Sequence, residues 1–263
     1  MGYPHSTPGC NEIVIIRELV HRPETAPLGD PPGAVGYETA RLATVPAPRQ
    51  NASRGRCGAI VLAAGGGSRF LGSHHKLLQP LAGRAVVRWA LEAVAGAGLS
   101  PIVVVTGAAD LTNVLAESLP NDPEVVEVHN PHWRTGMASS LQAALLVARM
   151  RDMEAVVVGL GDQPGIPASA WRKVADTQAP LAVATYAGVR RNPVRIHAEL
   201  WSQLPHDGDE GARSLIRERP ELVTEVACEG NADDIDTVDD VARWQANLAG
   251  QRQPEHAEQR KDT

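Results

Sequence analysis

From Cys57 onward, apolar and polar positions alternate between two rhythms. The run 57–64 (CGAIVLAA) is continuously apolar and meets glycine at 65, the pattern of a strand covered on both faces. In 84–98 (RAVVRWALEAVAGAG) apolar residues recur at 86, 87, 90, 91 and 94 and the run closes on Gly96 and Gly98, a helical period with a glycine stop. Buried-type strands are predicted again at 101–107, 124–130, 154–160 and 180–188. Helices are predicted between them at 109–119, 138–150 and 167–178, the last opening on Pro167, which a first helical turn tolerates. After Gly188 the rhythm loosens into a strand (192–197), helices (198–204 and 210–219), a strand (222–228) and a helix (238–250). This part reads as an accessory subdomain that returns to the sheet.

Strands alternating with helices at this spacing imply right-handed crossovers. The predicted fold is therefore α/β, a Rossmann-like three-layer sandwich around a mainly parallel sheet. Residues 1–56 differ in texture: Pro4, Pro8, Pro23, Pro27, Pro31, Pro32, Pro46 and Pro48 interrupt them, and only Glu12–Val20 could form an element. They read as a disordered extension with one docking element, or as an over-long reading frame. The folded domain is expected over 57–250, with a flexible tail at 251–263.

Composition narrows the class. The 263-residue chain is 43% hydrophobic but 3% aromatic, so its core must be aliphatic. A net charge of −6 and a pI near 5.8 argue against a nucleic-acid binder. Three cysteines (Cys10, Cys57, Cys228) without a CxxC pattern argue against a disulfide framework or a cysteine zinc site. No apolar run approaches the roughly 18 residues of a membrane span. The polar, turn-rich N-terminus lacks signal-peptide order, so a cytoplasmic location is expected.

In open parallel sheets ligands bind beyond the carboxyl ends of the strands. Three polar loops fall there: 64–76, 130–140 and 161–165. The first, in LAAGGGSRF (62–70), offers backbone N–H groups beside small residues, then Arg69 and Lys76, as a phosphate would require. It matches neither the P-loop, lacking Gly-Lys-Ser/Thr, nor GxGxxG, since Phe70 stands at the last glycine. Taken alone it supports a phosphate cradle and a flexible turn equally. Asp162 is either a helix cap or a Mg²⁺ ligand, that ion favouring one or two carboxylates with phosphates and water. His129 and His132 lack a third ligand at useful spacing and read as hydrogen-bonded surface residues. Ser139 and Ser140 are helix caps or donors to a base or phosphate. The acidic cluster Asp233, Asp234, Asp236, Asp239 and Asp240 compensates a helix dipole, or supplies Asp236 as a second carboxylate if the chain returns to the first site.

Together LAAGGGSRF…K (62–76), KLLQPLAGRAVV (76–87), GMASSL (136–141), GDQP (161–164), NPV (192–194), GDEGAR (208–213) and DIDTVDD (234–240) resemble the nucleotidyltransferases that include molybdenum cofactor cytidylyl- and guanylyltransferases. The cytidylyltransferase branch of this MobA-like family is nearest. The resemblance implies a nucleotide-diphospho-sugar-transferase-like fold and transfer of a nucleoside monophosphate, CMP from CTP, to molybdopterin with release of pyrophosphate. It implies that Leu62, Ala63, Ala64, Gly65, Gly66, Gly67, Ser68, Arg69 and Lys76, with Ser139 and Ser140, hold the nucleotide. Arg69, Lys76 and Asp162 would be catalytic. Asp162 would bind Mg²⁺ (Mn²⁺ as the alternative ion) with Asp236 as partner, or Asn192 in its place. Gln163, Asn192 and Arg213 would face the acceptor, and a molybdoenzyme would receive the product. Alternatives within the resemblance are GTP as donor, phospholactate or a sugar phosphate as acceptor, or a non-catalytic cofactor carrier. Two departures stand out. The spacer Phe70–His75 is at least one residue longer than the family's usual arginine-to-lysine spacing, and Arg190 and Arg191 precede Asn192 where the family commonly has glycine.

Overall fold

The computed structural model describes residues 15–19, 56–72 and 74–251. Its strands are β1 (Ile15–Leu19), β2 (Cys57–Ala63), β3 (Pro80–Leu81), β4 (Arg84–Ala85), β5 (Ile102–Thr106), β6 (Val125–His129), β7 (Ala155–Leu160), β8 (Leu181–Tyr186), β9 (Val189–His197) and β10 (Val223–Ala227). Its α-helices are α1 (Val86–Gly96), α2 (Thr112–Leu115), α3 (Met137–Met150), α4 (Ala168–Ala175), α5 (Ala212–Glu218) and α6 (Val238–Gln251). Eight strands form one sheet in the order β1-β6-β5-β2-β7-β9-β8-β10, and β3 and β4 form a separate ribbon. β6, β5, β2 and β7 are parallel, as are β8 and β10; β9 runs antiparallel to both its neighbours, and β1 antiparallel to β6.

The period of two along a strand assigns each buried residue to a face. Ala59, Val61, Ala63, Ile102 and Val104 pack with Val87, Leu91 and Val94 of α1 and with Ala170, Trp171 and Val174 of α4. Ile60, Leu62, Val103 and Val105 pack on the other side with Leu141, Ala144, Leu145 and Ala148 of α3 and Leu215 of α5. This is the expected α/β three-layer sandwich. Each fully buried Val, Leu or Ile contributes about 1.5–3 kcal/mol, so an aromatic-poor chain still builds a core by filling both faces.

Two expectations change. The segment after Gly188 is no accessory subdomain: β8 and β9 form a hairpin through Ala187 (φ 49°) and Gly188 (φ 79°). Two successive positive φ values match the right-handed twist of the flanking strands, and β9 enters the sheet between β7 and β8. The helix expected over 109–119 shrinks to α2. Beyond its end the guanidinium of Arg88, itself only 7% exposed, donates to the carbonyls of Glu117 and Ser118, which have no partner within the helix. Within the proline-rich segment, Ile15–Leu19 pairs with β6; residues 1–14 and 20–55 lie outside the described residues, as does 252–263 at the other end.

One large ring is accommodated by a missing side chain. Trp171 of α4 is 1% exposed and lies over Gly159 of β7, where a Cβ would sit 2.7 Å from its Cζ2. Overfilling a packed core costs about 1–3 kcal/mol. Gly159→Ala should therefore lower the unfolding free energy by about that amount, read as a lower urea midpoint with an unchanged slope of the transition.

Candidate active site

The sheet reverses its build direction at β2. From there the chain adds β5 and β6 on one side, then β7 on the other, which opens a crevice where the two directions part. Loops 64–76 and 161–165 leave neighbouring strands at that crevice, joined by Gly161 N–H donating to the Leu62 carbonyl at 2.9 Å. Leu62, Ala63 and Ala64 are buried, and the Ala64 carbonyl accepts from Ala108 N–H, so these three anchor the loop. Beyond them the backbone N–H groups of Gly65, Gly66, Gly67, Ser68 and Arg69 donate to no carbonyl among the described residues. Gly67 takes φ 59°, a left-handed turn that glycine adopts without penalty.

Lys76 opens a short 3₁₀ turn (Lys76–Leu78) and reaches back across the crevice. Its Nζ donates to Asp162 Oδ2 at 2.6 Å and to Asp236 Oδ1 at 3.0 Å. Arg69 Nη1 lies 3.1 Å from Asp236 Oδ2. The side chains of Lys76, Asp162 and Asp236 are 12%, 15% and 25% exposed, so the trio is largely withdrawn from water. Burial alone would lower the Lys76 pKa, but the Asp162 charge first and then Asp236 more than offset it and hold it above the ordinary lysine value. Asp162 Oδ1 is buried without a partner. The chain thus returns to the crevice, as Asp236 required.

That return is built on the backbone. Ile235 N–H donates to the Asp162 carbonyl at 2.9 Å and Asn231 N–H to Gly165 at 3.0 Å. Gln163, only 3% exposed, donates through Nε2 to the Ala232 carbonyl and to Asp234 Oδ1, and accepts from Asn192 Nδ2. Because a backbone carbonyl can only accept, this fixes the amide orientation. Gln163 is therefore spent inside the protein and reaches the crevice only through Asn192. Burial, with the charges of Asp162 and Asp236, pushes the Asp234 carboxyl above its usual range.

The third loop crosses from β6 over the end of β5. Trp133 lies where a Cβ on Gly66 would sit 2.7 Å from its ring, and one on Gly107 2.8 Å. Arg134 stacks on the same ring at 4.3 Å from its centroid, a cation–π contact. Ser139 and Ser140 are in the first turns of α3, which Gly136 (φ 117°) caps. Both hydroxyls accept from Asn130 Nδ2 at 3.0 Å, and Ser140 is 4% exposed. Neither is an N-cap. Gly208 N–H and carbonyl bond to Thr135 and Ala138, tying GDEGAR to GMASSL, while the Arg213 side chain is exposed at the start of α5. Arg190 is engaged by Glu225 at 2.8 Å; Arg191 is exposed. His129 and His132 join no group of three metal-ligating side chains among the described residues. Burial pushes the Cys57 thiol up to about 11 and also raises Cys228, so neither is poised as a thiolate.

A family model described as the MobA-like NTP transferase domain matches residues 59–223. The chain belongs to this family. The chain is similar to the bifunctional protein GlmU of Agrobacterium fabrum, 36% identical over 106 residues, which is 40% of this chain and 23% of that protein. The match to GlmU of Pelobacter propionicus is 51% over 49 residues, 19% of this chain and 11% of the other. This chain thus spans under a third of the length of these curated relatives. Among solved structures, Rv0371c from Mycobacterium tuberculosis H37Rv superposes with a TM-score of 0.62 at 27% identity, covering 74% of this chain and 100% of that one. The same protein in complex with manganese gives 0.59 at 26% identity, covering 73% and 98%.

In this MobA-like domain several residues around the crevice escape a reading of the sequence. His75 lies in the long spacer with Nε2 3.0 Å from the Gly65 carbonyl, and Leu77 N–H donates to its Nδ1 at 3.3 Å; the proton therefore belongs on Nε2. Trp133 and Asn130 act through contacts that only the fold creates. Asp240, expected to compensate a helix dipole, instead accepts through Oδ2 from Asp236 N–H (3.0 Å), Thr237 N–H (2.7 Å) and the Thr237 hydroxyl (2.8 Å), while Asp240 N–H donates to Thr237 Oγ1. This is a capping box with aspartate as the acid; the sequence Thr-x-x-Asp at 237–240 was its available signature. Burial would raise the Asp240 pKa, but the Thr237 hydroxyl and the two N–H groups outweigh it and hold it below the 3.8 of a free aspartate.

A carboxyl depressed on folding stabilises above its unfolded pKa, and that contribution fades as pH falls through the folded value. Asp240→Ala should cost about 0.3–1.5 kcal/mol at pH 7, measured by urea unfolding. The gap to wild type should shrink below about pH 4; a gap independent of pH would mean that the cap does not act through the ionised carboxylate.

Proposed function

We propose that this NTP transferase moves a nucleoside monophosphate, CMP from CTP, onto the phosphate of a molybdopterin-type acceptor and releases pyrophosphate. One observation carries the reading: unspent N–H groups of Gly65–Arg69, two cations and two carboxylates converge on the crevice between β2 and β7. The preference for CTP and molybdopterin rests on the order of motifs from LAAGGGSRF to DIDTVDD.

The acceptor phosphate is ionised at neutral pH, so its oxygen can attack the α-phosphorus without a general base. The P–O bond to the β-phosphate breaks, and the electron pair leaves with pyrophosphate. The backbone N–H groups of 65–69 would hold the triphosphate, and Arg69 would offer its fork to a phosphate oxygen. Asn192, its Nδ2 committed to Gln163, would turn its Oδ1 to the acceptor, and exposed Arg191 and Arg213 would meet an anionic one.

Asp162 and Asp236 fit a divalent ion. Asp162 Oδ1 is buried and unpartnered, and a hard cation takes oxygen ligands from one or two carboxylates, with phosphates and water completing the set. Bound there, Mg²⁺ would screen the anions from one another and stabilise charge on the leaving pyrophosphate. The manganese complex of Rv0371c supports a divalent ion, with Mn²⁺ as a substitute.

Purified protein, CTP or GTP, Mg²⁺ and a panel of acceptors (molybdopterin, phospholactate, a sugar phosphate) should give pyrophosphate release fastest with CTP and molybdopterin. Asp162→Asn should cut that rate by about a hundredfold or more with an unchanged circular dichroism melt. Undiminished turnover in the variant would overturn the metal assignment. Cofactor binding without pyrophosphate under any NTP would mark a carrier instead.

A further inference from the structure

We propose that Lys76 is the resident counter-cation of the Asp162–Asp236 pair, and that a divalent cation displaces its ammonium towards the phosphate loop. The inference rests on the metal-assisted reading above and adds to it an exchange between two cations for one seat.

The seat is defined oxygen by oxygen. Lys76 Nζ holds Asp162 Oδ2 and Asp236 Oδ1, and Arg69 lies against Asp236 Oδ2. Asp162 Oδ1 alone has no partner, and it is buried. A cation that is to touch both carboxylates must therefore share an oxygen with Lys76 or displace Arg69, and in either position its charge lies against the Lys76 ammonium. Two carboxylates this close to one ammonium repel each other, and positive charge between them offsets that repulsion. Lysine supplies that charge in the metal-free protein as a compact point charge on a flexible stem.

The stem shows where the displaced ammonium can go. Lys76 Cγ and Cδ lie 3.2 Å and 3.5 Å from the position of a Cβ on Gly67, so the side chain runs directly along the glycine loop. Its root lies beside the unspent N–H groups, and its head is at the carboxylates. Rotation about the last side-chain bonds carries Nζ from one to the other. A metal arriving alone would leave the ammonium without an anion; a metal arriving with a triphosphate provides one. Metal and triphosphate should therefore bind with positive coupling, and the coupling must be reciprocal.

The test uses Mn²⁺ binding followed by electron paramagnetic resonance on the full chain without nucleotide. Lys76→Met and Lys76→Gln should each bind Mn²⁺ at least about tenfold more tightly than wild type, a difference of about 1.4 kcal/mol. Adding Asp162→Asn to either should abolish the gain. Should neither single variant fold, wild type labelled with ¹⁵N-lysine provides the readout: saturating Mg²⁺ should move the Lys76 Nζ resonance to the position of solvent-exposed lysines. Equal or weaker Mn²⁺ affinity in a folded variant, or an unmoved resonance while Mg²⁺ binds, would overturn the exchange. Wild type that shows the exchange but turns over no NTP would uphold this inference and sink the functional one.

Discussion

One ammonium joins three distant parts of the chain. Lys76 donates to carboxylates 86 and 160 positions away, so the glycine loop, the end of β7 and the segment leading into α6 are fixed relative to one another by a single group. The backbone prepares this meeting. Ile235 N–H on the Asp162 carbonyl and Asn231 N–H on Gly165 lay the acidic segment along GDQP before any side chain engages. The capping box at Thr237 and Asp240 then sets the direction in which Asp236 leaves the loop. Such an arrangement is costly unless every charge is met, because buried ions forfeit hydration. Arg69 completes the compensation from the solvent side, and only Asp162 Oδ1 is left over.

A second constraint is proximity between backbones. Trp133 must cross the end of β5 to reach the loop after β2, because β5 lies between β6 and β2 in the sheet. It can do so because Gly107 and Gly66 present no side chain beneath it. The glycines of LAAGGGSRF therefore differ in duty: Gly66 admits a neighbouring ring, Gly67 makes a left-handed turn, and Gly65 supplies the carbonyl for His75. Arg134, stacked on that tryptophan, adds a cation beside the loop without an ion pair among the described residues.

The layers of the fold were legible because burial on both faces leaves continuous apolar runs, and the strand ends followed from those runs. Predicting that loops 64–76 and 161–165 share an edge needed nothing beyond parallel strands. What failed to show was whatever depends on a tertiary partner. The end of α2 is one such place: the guanidinium of Arg88 meets the carbonyls of Glu117 and Ser118, 29 and 30 residues away, a partnership that no local period announces. Ser140 reads as a cap or donor in sequence but is buried against Asn130. Gln163 looks available beside Asp162, yet the return of residues 231–237 consumes its amide. The hairpin at Ala187-Gly188 was hidden because alanine rarely supplies a positive φ, so the strand after it looked detached from the sheet.

The long spacer before Lys76 now has a physical account. An extra residue in a free loop would let Lys76 wander, at an entropic cost to any geometry that needs it. Here the slack is taken up by His75, which bridges the Gly65 carbonyl and the Leu77 N–H on either side of the spacer. That bridge requires the neutral ring, with Nδ1 free to accept. Burial lowers the His75 pKa, outweighing the opposing pull of the Gly65 carbonyl, and the Lys76 charge lowers it further. A protonated ring would turn a second donor towards Leu77 N–H and place a further positive charge beside Lys76. The same desolvation that concentrates charge at Asp162 and Asp236 thus keeps the neighbouring histidine uncharged. The loop and the lysine stem are held in register by a neutral hydrogen-bonded strut, which adds no further positive charge to the crevice.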